Sequence, residues 1–199
     1  KPHTARWYRS KALAFQYGFD LLPDSDKFNN QGHTEEAIEA SKIVKYSAVV
    51  ESEDGRLIVK IATESGGRLQ PITEDQHNAF KGYIAEIKDA GVRATVINYL
   101  PDKLVLSLDV YYDPLVLDSN GMDILSAKLL VKEAIETYLK HLPFNGELIV
   151  AHLVDALQAV NGVKIPNLRE VKTAWIDPNT HGYGAFENIN VSQIPYSGY

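Results

Sequence analysis

The most regular alternation of apolar and other residues falls between Lys103 and Tyr112, where Leu104, Leu106, Leu108, Val110 and Tyr112 occupy every second position. That period predicts a strand with one face buried. Residues 43 to 52 and 56 to 63 are also rich in β-branched and aliphatic residues, and Asp54-Gly55 between them is a hairpin turn signal. From Thr73 the period changes. Phe80, Tyr83, Ile84 and Ile87 follow helical spacing, and Thr73 with Gln76 three residues on can form a capping box. Gly91 is expected to close this helix. Residues 92 to 99 read as a strand, turned at Pro101-Asp102 into the strand 103 to 112. The pattern therefore predicts β-hairpin, helix, β-hairpin over residues 43–117, a ββαββ domain of an antiparallel α+β kind.

Beyond the polar turn at Asp118-Ser119-Asn120-Gly121, residues 124 to 141 carry Val131, Ala134, Ile135, Tyr138, Leu139 and Leu142 on one helical face, and Pro143 ends the run. A second helix is expected over 147 to 160, closed by Gly162. Strands are expected at 168 to 176 and 189 to 194, with a Gly- and Asn-rich loop between them. This makes residues 118–199 a smaller ααββ unit. At the other end, residues 4 to 17 suggest a helix, residues 23 to 34 a turn-rich linker, and residues 35 to 41 a short helix. Residues 1–42 thus read as an N-terminal helical arm and linker.

Composition narrows the function classes. The chain has 199 residues, 45% of them hydrophobic, which is enough for one sizeable core or two small ones. With no cysteine, disulfides, thiolate catalysis and cysteine-ligated metal centres are excluded. A net charge of −6, with basic residues scattered along the chain, argues against nucleic acid as a partner. No run approaches the roughly 20 apolar residues of a membrane span, and the first 25 residues lack the pattern of a signal sequence, so the chain reads as soluble with no membrane partner.

Candidate chemistry is sparse. Asp109 and Asp113 share a strand face, but four residues of strand separate them by roughly 13 Å, too far for one metal ion. Gly66-Gly67 lacks the Gly-Lys-Ser/Thr ending of a phosphate loop. The stretch from Asp118 to Asp123 resembles a calcium loop only superficially: its glycine falls early and no glutamate closes it. The histidines at 3, 33, 77, 141, 152 and 181 show no ligand spacing, no serine sits in a nucleophile elbow, and the sequon at Asn190 reads as a chance match in a strand. No catalytic, cofactor-binding or metal residue is assigned, and no cofactor is expected. The enzymatic alternative is metal-dependent nucleotidyl transfer, which would require a pocket gathering several of Asp109, Asp113, Glu64 and Arg68.

Two stretches together resemble phage tail baseplate proteins of the baseplate J and wedge type. One is Lys88-Asp89-Ala90-Gly91-Val92 followed by Val110-Tyr111-Tyr112-Asp113-Pro114. The other runs from Val131-Lys132-Glu133-Ala134-Ile135-Glu136-Thr137-Tyr138-Leu139 through Pro143-Phe144-Asn145-Gly146, Leu153-Val154-Asp155-Ala156-Leu157 and Val160-Asn161-Gly162-Val163 to Ile194-Pro195-Tyr196-Ser197-Gly198-Tyr199. The resemblance covers about residues 70 to 199. It implies a non-enzymatic structural subunit of a phage or prophage tail, assembled in the bacterial host cytoplasm and carried in the virion tail. Its partners would be other tail or baseplate proteins, in a homo-oligomer or hetero-complex. For such a role the expected interaction residues are the aromatics Trp7, Tyr8, Phe15 and Tyr17 near one end and Tyr196 and Tyr199 near the other.

Overall fold

Thr4, itself extended, caps helix α1 (Ala5–Leu13) by accepting a hydrogen bond from the Trp7 amide at 3.3 Å. The computed structural model describes residues 1–199. It divides them into two compact units, residues 1–101 and residues 102–197 with Tyr199 joining the second.

In the first unit, α1 and the short α2 (Glu35–Ser41), itself capped by Thr34, precede the hairpin of β1 (Tyr46–Glu51) and β2 (Leu57–Ser65). These strands pair antiparallel from Tyr46 opposite Ala62 to Glu51 opposite Leu57, turning where Asp54-Gly55 predicts. Strand β3 (Arg68–Gln70) folds back on the end of β2, and α3 (Glu74–Ile87) begins with the expected reciprocal cap. The Gln76 amide donates to Thr73 Oγ1 at 3.4 Å, while Gln76 Oε1 accepts from the Thr73 amide at 3.0 Å. Phe80, Tyr83, Ile84 and Ile87 of α3 are buried with Val59 and Ile61 of β2 and with Tyr8, Ala12 and Phe15 from the N-terminal segment. Each such side chain, moved from water into the core, contributes about 1.5–3 kcal/mol. Helix α3 ends at Ile87 with Lys88 as its cap, so Gly91, at φ +87°, serves the turn beyond rather than the helix end.

Strand β4 (Ala94–Ile97) does not enter a hairpin. It lies parallel to β2, with Leu57 opposite Ala94 and Lys60 opposite Ile97, and α3 is the crossover that parallel pairing requires. Asn98 fixes this course: its amide group accepts from the Ile72 N–H and donates to the Ile72 carbonyl, both at 2.9 Å. The chain leaving β4 is thereby tied to the chain entering α3.

The second unit begins with β5 (Lys103–Tyr112), whose bounds are those the alternation predicts. It pairs antiparallel with β7 (Val163–Ala174) along its whole length, with irregularities at Ser107/Leu108 and Tyr111/Tyr112, and β7 pairs in turn with β8 (Glu187–Asn188). Helix α4 (Leu130–His141), the short β6 (Leu148–Ile149) and α5 (Val150–Gln158) lie between, and β9 (Ser192–Gln193) pairs with β6. Leu104 and Leu106 of β5 meet Leu168 and Val171 of β7, Tyr138, Leu139 and Leu142 from α4 and its end, and Leu148 and Ile189 in this unit's core. The Tyr138 hydroxyl donates to the Ile149 carbonyl at 3.0 Å, which fixes α4 against the β6–α5 junction.

The α+β class is the one found, but the division of the chain differs from expectation. The second hairpin of the predicted 43–117 domain is absent because β4 and β5 belong to different sheets, so the boundary falls after Pro101 instead of after Leu117. Residues 1–42 are not an arm. Tyr83 Oη donates to the Lys11 carbonyl at 3.2 Å and Arg9 Nε donates to the Ser47 carbonyl at 2.9 Å, which sews this segment into the first unit, while Lys11 pairs with Asp26 at 2.6 Å within it. Of the expected strand over 189 to 194 only Ser192–Gln193 (β9) is strand, with β8 ending just before it at Asn188, and no helix is long and apolar enough to cross a membrane.

Candidate functional site

The six aromatics expected at an interface separate into two kinds. Tyr8 and Phe15 are buried, at 2% and 3% exposure, because they fall on the face of the N-terminal segment that covers the first core. They are not surface residues. Trp7 is half-buried, edge-on to Tyr8 with centroids 4.9 Å apart, and Tyr17 remains exposed. In the second unit Tyr196 stacks on Trp175 and Tyr199 on Phe144, each pair at 5.9 Å. Asp102 holds this segment by accepting from the Tyr196 amide at 2.6 Å, the Ser197 amide at 3.0 Å and the Ser197 hydroxyl at 2.7 Å. Burial raises the Tyr199 phenol well above its ordinary range. These two tyrosines clamp their own unit.

The carboxylates of the enzymatic alternative are engaged individually. Asp109 pairs with Arg169, and Asp113 lies 3.6 Å from Lys164. Glu64, near the end of β2, accepts the Tyr46 hydroxyl at 2.6 Å, and Arg68 opens β3 in the same unit. No group of three metal-ligating side chains gathers anywhere in the chain.

What the second unit does present is an ordered apolar loop between β5 and α4. Three aspartates build it, each accepting from backbone amides just ahead of it in the chain. Asp113 accepts from Leu115 N at 3.0 Å, Asp118 from Asn120 N at 2.8 Å and Met122 N at 2.9 Å, and Asp123 from Ser126 N at 2.8 Å. Backbone bonds close the larger circuit, from Ile124 N to the Val116 carbonyl at 3.0 Å and from Asp123 N to the Lys128 carbonyl at 2.8 Å. The hydrogen bonds hold all three carboxyls below the ordinary aspartate value. For Asp113 and Asp118 the main cause is a backbone amide, that of Leu115 and of Met122; for Asp123 it is the Ser126 hydroxyl. Leu117 is the loop's buried anchor, at 1% exposure. It needs Gly162, since a Cβ there would lie 2.8 Å from Leu117 and Val116, and φ is +87°.

Around that anchor the apolar side chains point outward. Leu115 is 85% exposed, Leu125 95%, Ile124 54% and Leu129 39%. Helix α4, which the loop enters, has a strongly amphipathic sequence yet no fully buried residue. The sequence pattern places the helix start at residue 124, but the helix begins six residues later at Leu130, because Asp123 captures Ser126 N and Oγ and diverts the backbone, leaving Ala127 at φ +56°. Taken as the first turn of a helix, Ile124 and Leu125 do not stand out as a surface. A run of apolar residues between two polar capping signals was the available sign.

No family model and no curated protein matches this chain.

Proposed function

We propose that this chain is a non-enzymatic structural subunit of a phage or prophage tail baseplate-like assembly, acting through protein contacts. The observation that carries the proposal is the hydrogen-bonded loop that leaves Leu115, Ile124, Leu125 and Leu129 exposed. A loop without a partner would gain by turning such side chains inward or by exchanging them for polar ones, whereas this one is tied so that they face out. Covering each leucine with a partner is worth about 1.5–3 kcal/mol, so two or three of them make a substantial contact core. The resemblance over residues 70 to 199 supplies the kind of assembly, with neighbouring tail or baseplate proteins as partners and the virion tail as the site of action. The Asp102 clamp gives the Ile194 to Tyr199 segment, part of that resemblance, a structural use within the subunit.

The test is the Leu115→Asp/Leu125→Asp double variant, in light scattering across a concentration series and in co-expression with the neighbouring tail proteins. Both positions are almost fully exposed, so the thermal unfolding midpoint should stay near that of the unaltered protein. Co-assembly should be lost and association reduced. Co-assembly and association both unchanged in the double variant would remove the loop from the interface. A chain that stays monomeric and joins no tail complex would overturn the assembly role.

A further inference from the structure

The three-stranded sheet of the second unit runs in the order β5-β7-β8, which leaves β5 at an edge. At ten residues it is long for such a position, since exposed edges are usually kept short, bulged or covered. The irregularities in its pairing leave Arg169 and Lys164 of β7 without an opposite residue, so they are bulges of β7, and β5 itself continues unbroken. No other strand pairs with it, and no main-chain hydrogen bond outside the β5–β7 ladder starts or ends within Lys103–Tyr112. No proline interrupts this stretch, and its only charged residues are Lys103 and Asp109. Apart from those two charges, β5 carries neither the proline nor the bulge of its own that normally blunts an edge.

We infer that β5 is a self-association edge, on which β5 of a second copy pairs antiparallel about a two-fold axis to continue the sheet. The inference rests on the assembly reading and names one partner within it. The register follows from the side chains. Odd-numbered residues of β5 lie on the more exposed face, so a continuous sheet must oppose odd with odd. Centred on Asp109, the pairing would set two Asp109 carboxylates face to face. Centred on Ser107, it would set Val105 against Asp109. Centred on Leu108, it sets exposed Val105 against exposed Tyr111 of the other copy, Ser107 against Asp109, Leu106 against Val110, and Lys103 against Asp113. This last register joins apolar to apolar and cation to carboxylate with no like charges opposed, and it is the one assigned. A two-fold axis gives each contact twice, as an isologous interface requires.

The absence of cysteine makes the test clean. In the full-length chain, Val105→Cys and Tyr111→Cys variants are mixed and treated with oxidant or a short bis-maleimide, because directly opposed residues bring their Cβ atoms within about 5 Å. The expected product is a 105–111 cross-linked dimer from the mixture. A Ser107→Cys chain cross-linking to itself in preference would overturn the register. Separately, Val105→Glu places a carboxylate opposite Lys172 of its own chain, which keeps the fold, and opposite Tyr111 of the second copy, which weakens self-association by about tenfold or more. Adding Tyr111→Lys should restore association through two Glu–Lys pairs. If neither the cross-link nor the Val105→Glu effect is found while the Leu115→Asp/Leu125→Asp variant still abolishes co-assembly, β5 pairing falls and the assembly reading stands. Cross-linking to a different tail protein in preference would assign the edge to that protein and overturn self-pairing.

Discussion

Tyr8 and Tyr83 are both almost wholly buried in the first core, yet the Tyr83 hydroxyl donates to the Lys11 carbonyl while the Tyr8 hydroxyl has no hydrogen-bond partner. A buried polar group without a partner has lost its hydration with no return, and one with a partner has not. Tyr8→Phe is therefore expected to leave stability unchanged or raise it by up to about 1 kcal/mol, and Tyr83→Phe to lower it by about 1 kcal/mol. Urea unfolding of the two variants checks this, and a large loss from Tyr8→Phe would show that its hydroxyl finds a partner in solution. Burial also lifts the Tyr83 phenol well above the ordinary tyrosine range. The same two residues show what is legible one side chain at a time. Tyr83 follows the helical spacing of Phe80, Ile84 and Ile87, whereas an aromatic such as Tyr8 in the N-terminal segment looks equally suited to an interface and to a core, and only the neighbouring β2 and α3 decide between them.

At the scale of elements, boundaries were readable wherever the local signal was self-sufficient. The Thr73–Gln76 box, the Asp54-Gly55 turn and the ten-residue alternation of β5 each stand in the structure as the pattern predicts. The start of α4 was not readable, because helix propensity and side-chain capture compete locally and the winner depends on the Asp123 geometry. The loop before α4 carries a pH dependence of definite sign. Its aspartates are held below their ordinary value of 3.8 by hydrogen bonds that only the folded loop supplies. Their contribution is complete above pH 3.8 and is lost as pH falls through the lowered folded values. Amide NMR of Leu115, Met122 and Ser126 should follow this loss, with midpoints below 3.8 while the core resonances stay in place. Midpoints at the ordinary value would mean that the loop is not tied in solution, and with it the ordered apolar surface would go.

Across the whole molecule, each unit contains one of the two tryptophans, Trp7 in the first and Trp175 in the second. Removing residues 1 to 15 takes Tyr8, Ala12 and Phe15 out of the first core, and losing even one large buried aromatic costs about 3–5 kcal/mol. The truncated chain is expected to lose the first unit's circular dichroism while the Trp175 emission stays native. A truncation that leaves the far-ultraviolet spectrum proportionally intact would show the segment to be dispensable after all. The sequence by itself determined the α+β class, most of the strands and helices, and the poverty of catalytic motifs, since these depend on hydrophobic period, turn chemistry and spacing, all of which are local. Only the tertiary structure decided that β4 joins β2 in parallel, that β5 joins β7 across some fifty intervening residues of other elements, and that the N-terminal segment belongs to a core. A strand's period specifies which face is buried but not which neighbour completes its hydrogen bonds. That choice is made by long-range packing, and it leaves β5 with an open edge and the loop of residues 113–129 with Leu115 and Leu125 in water.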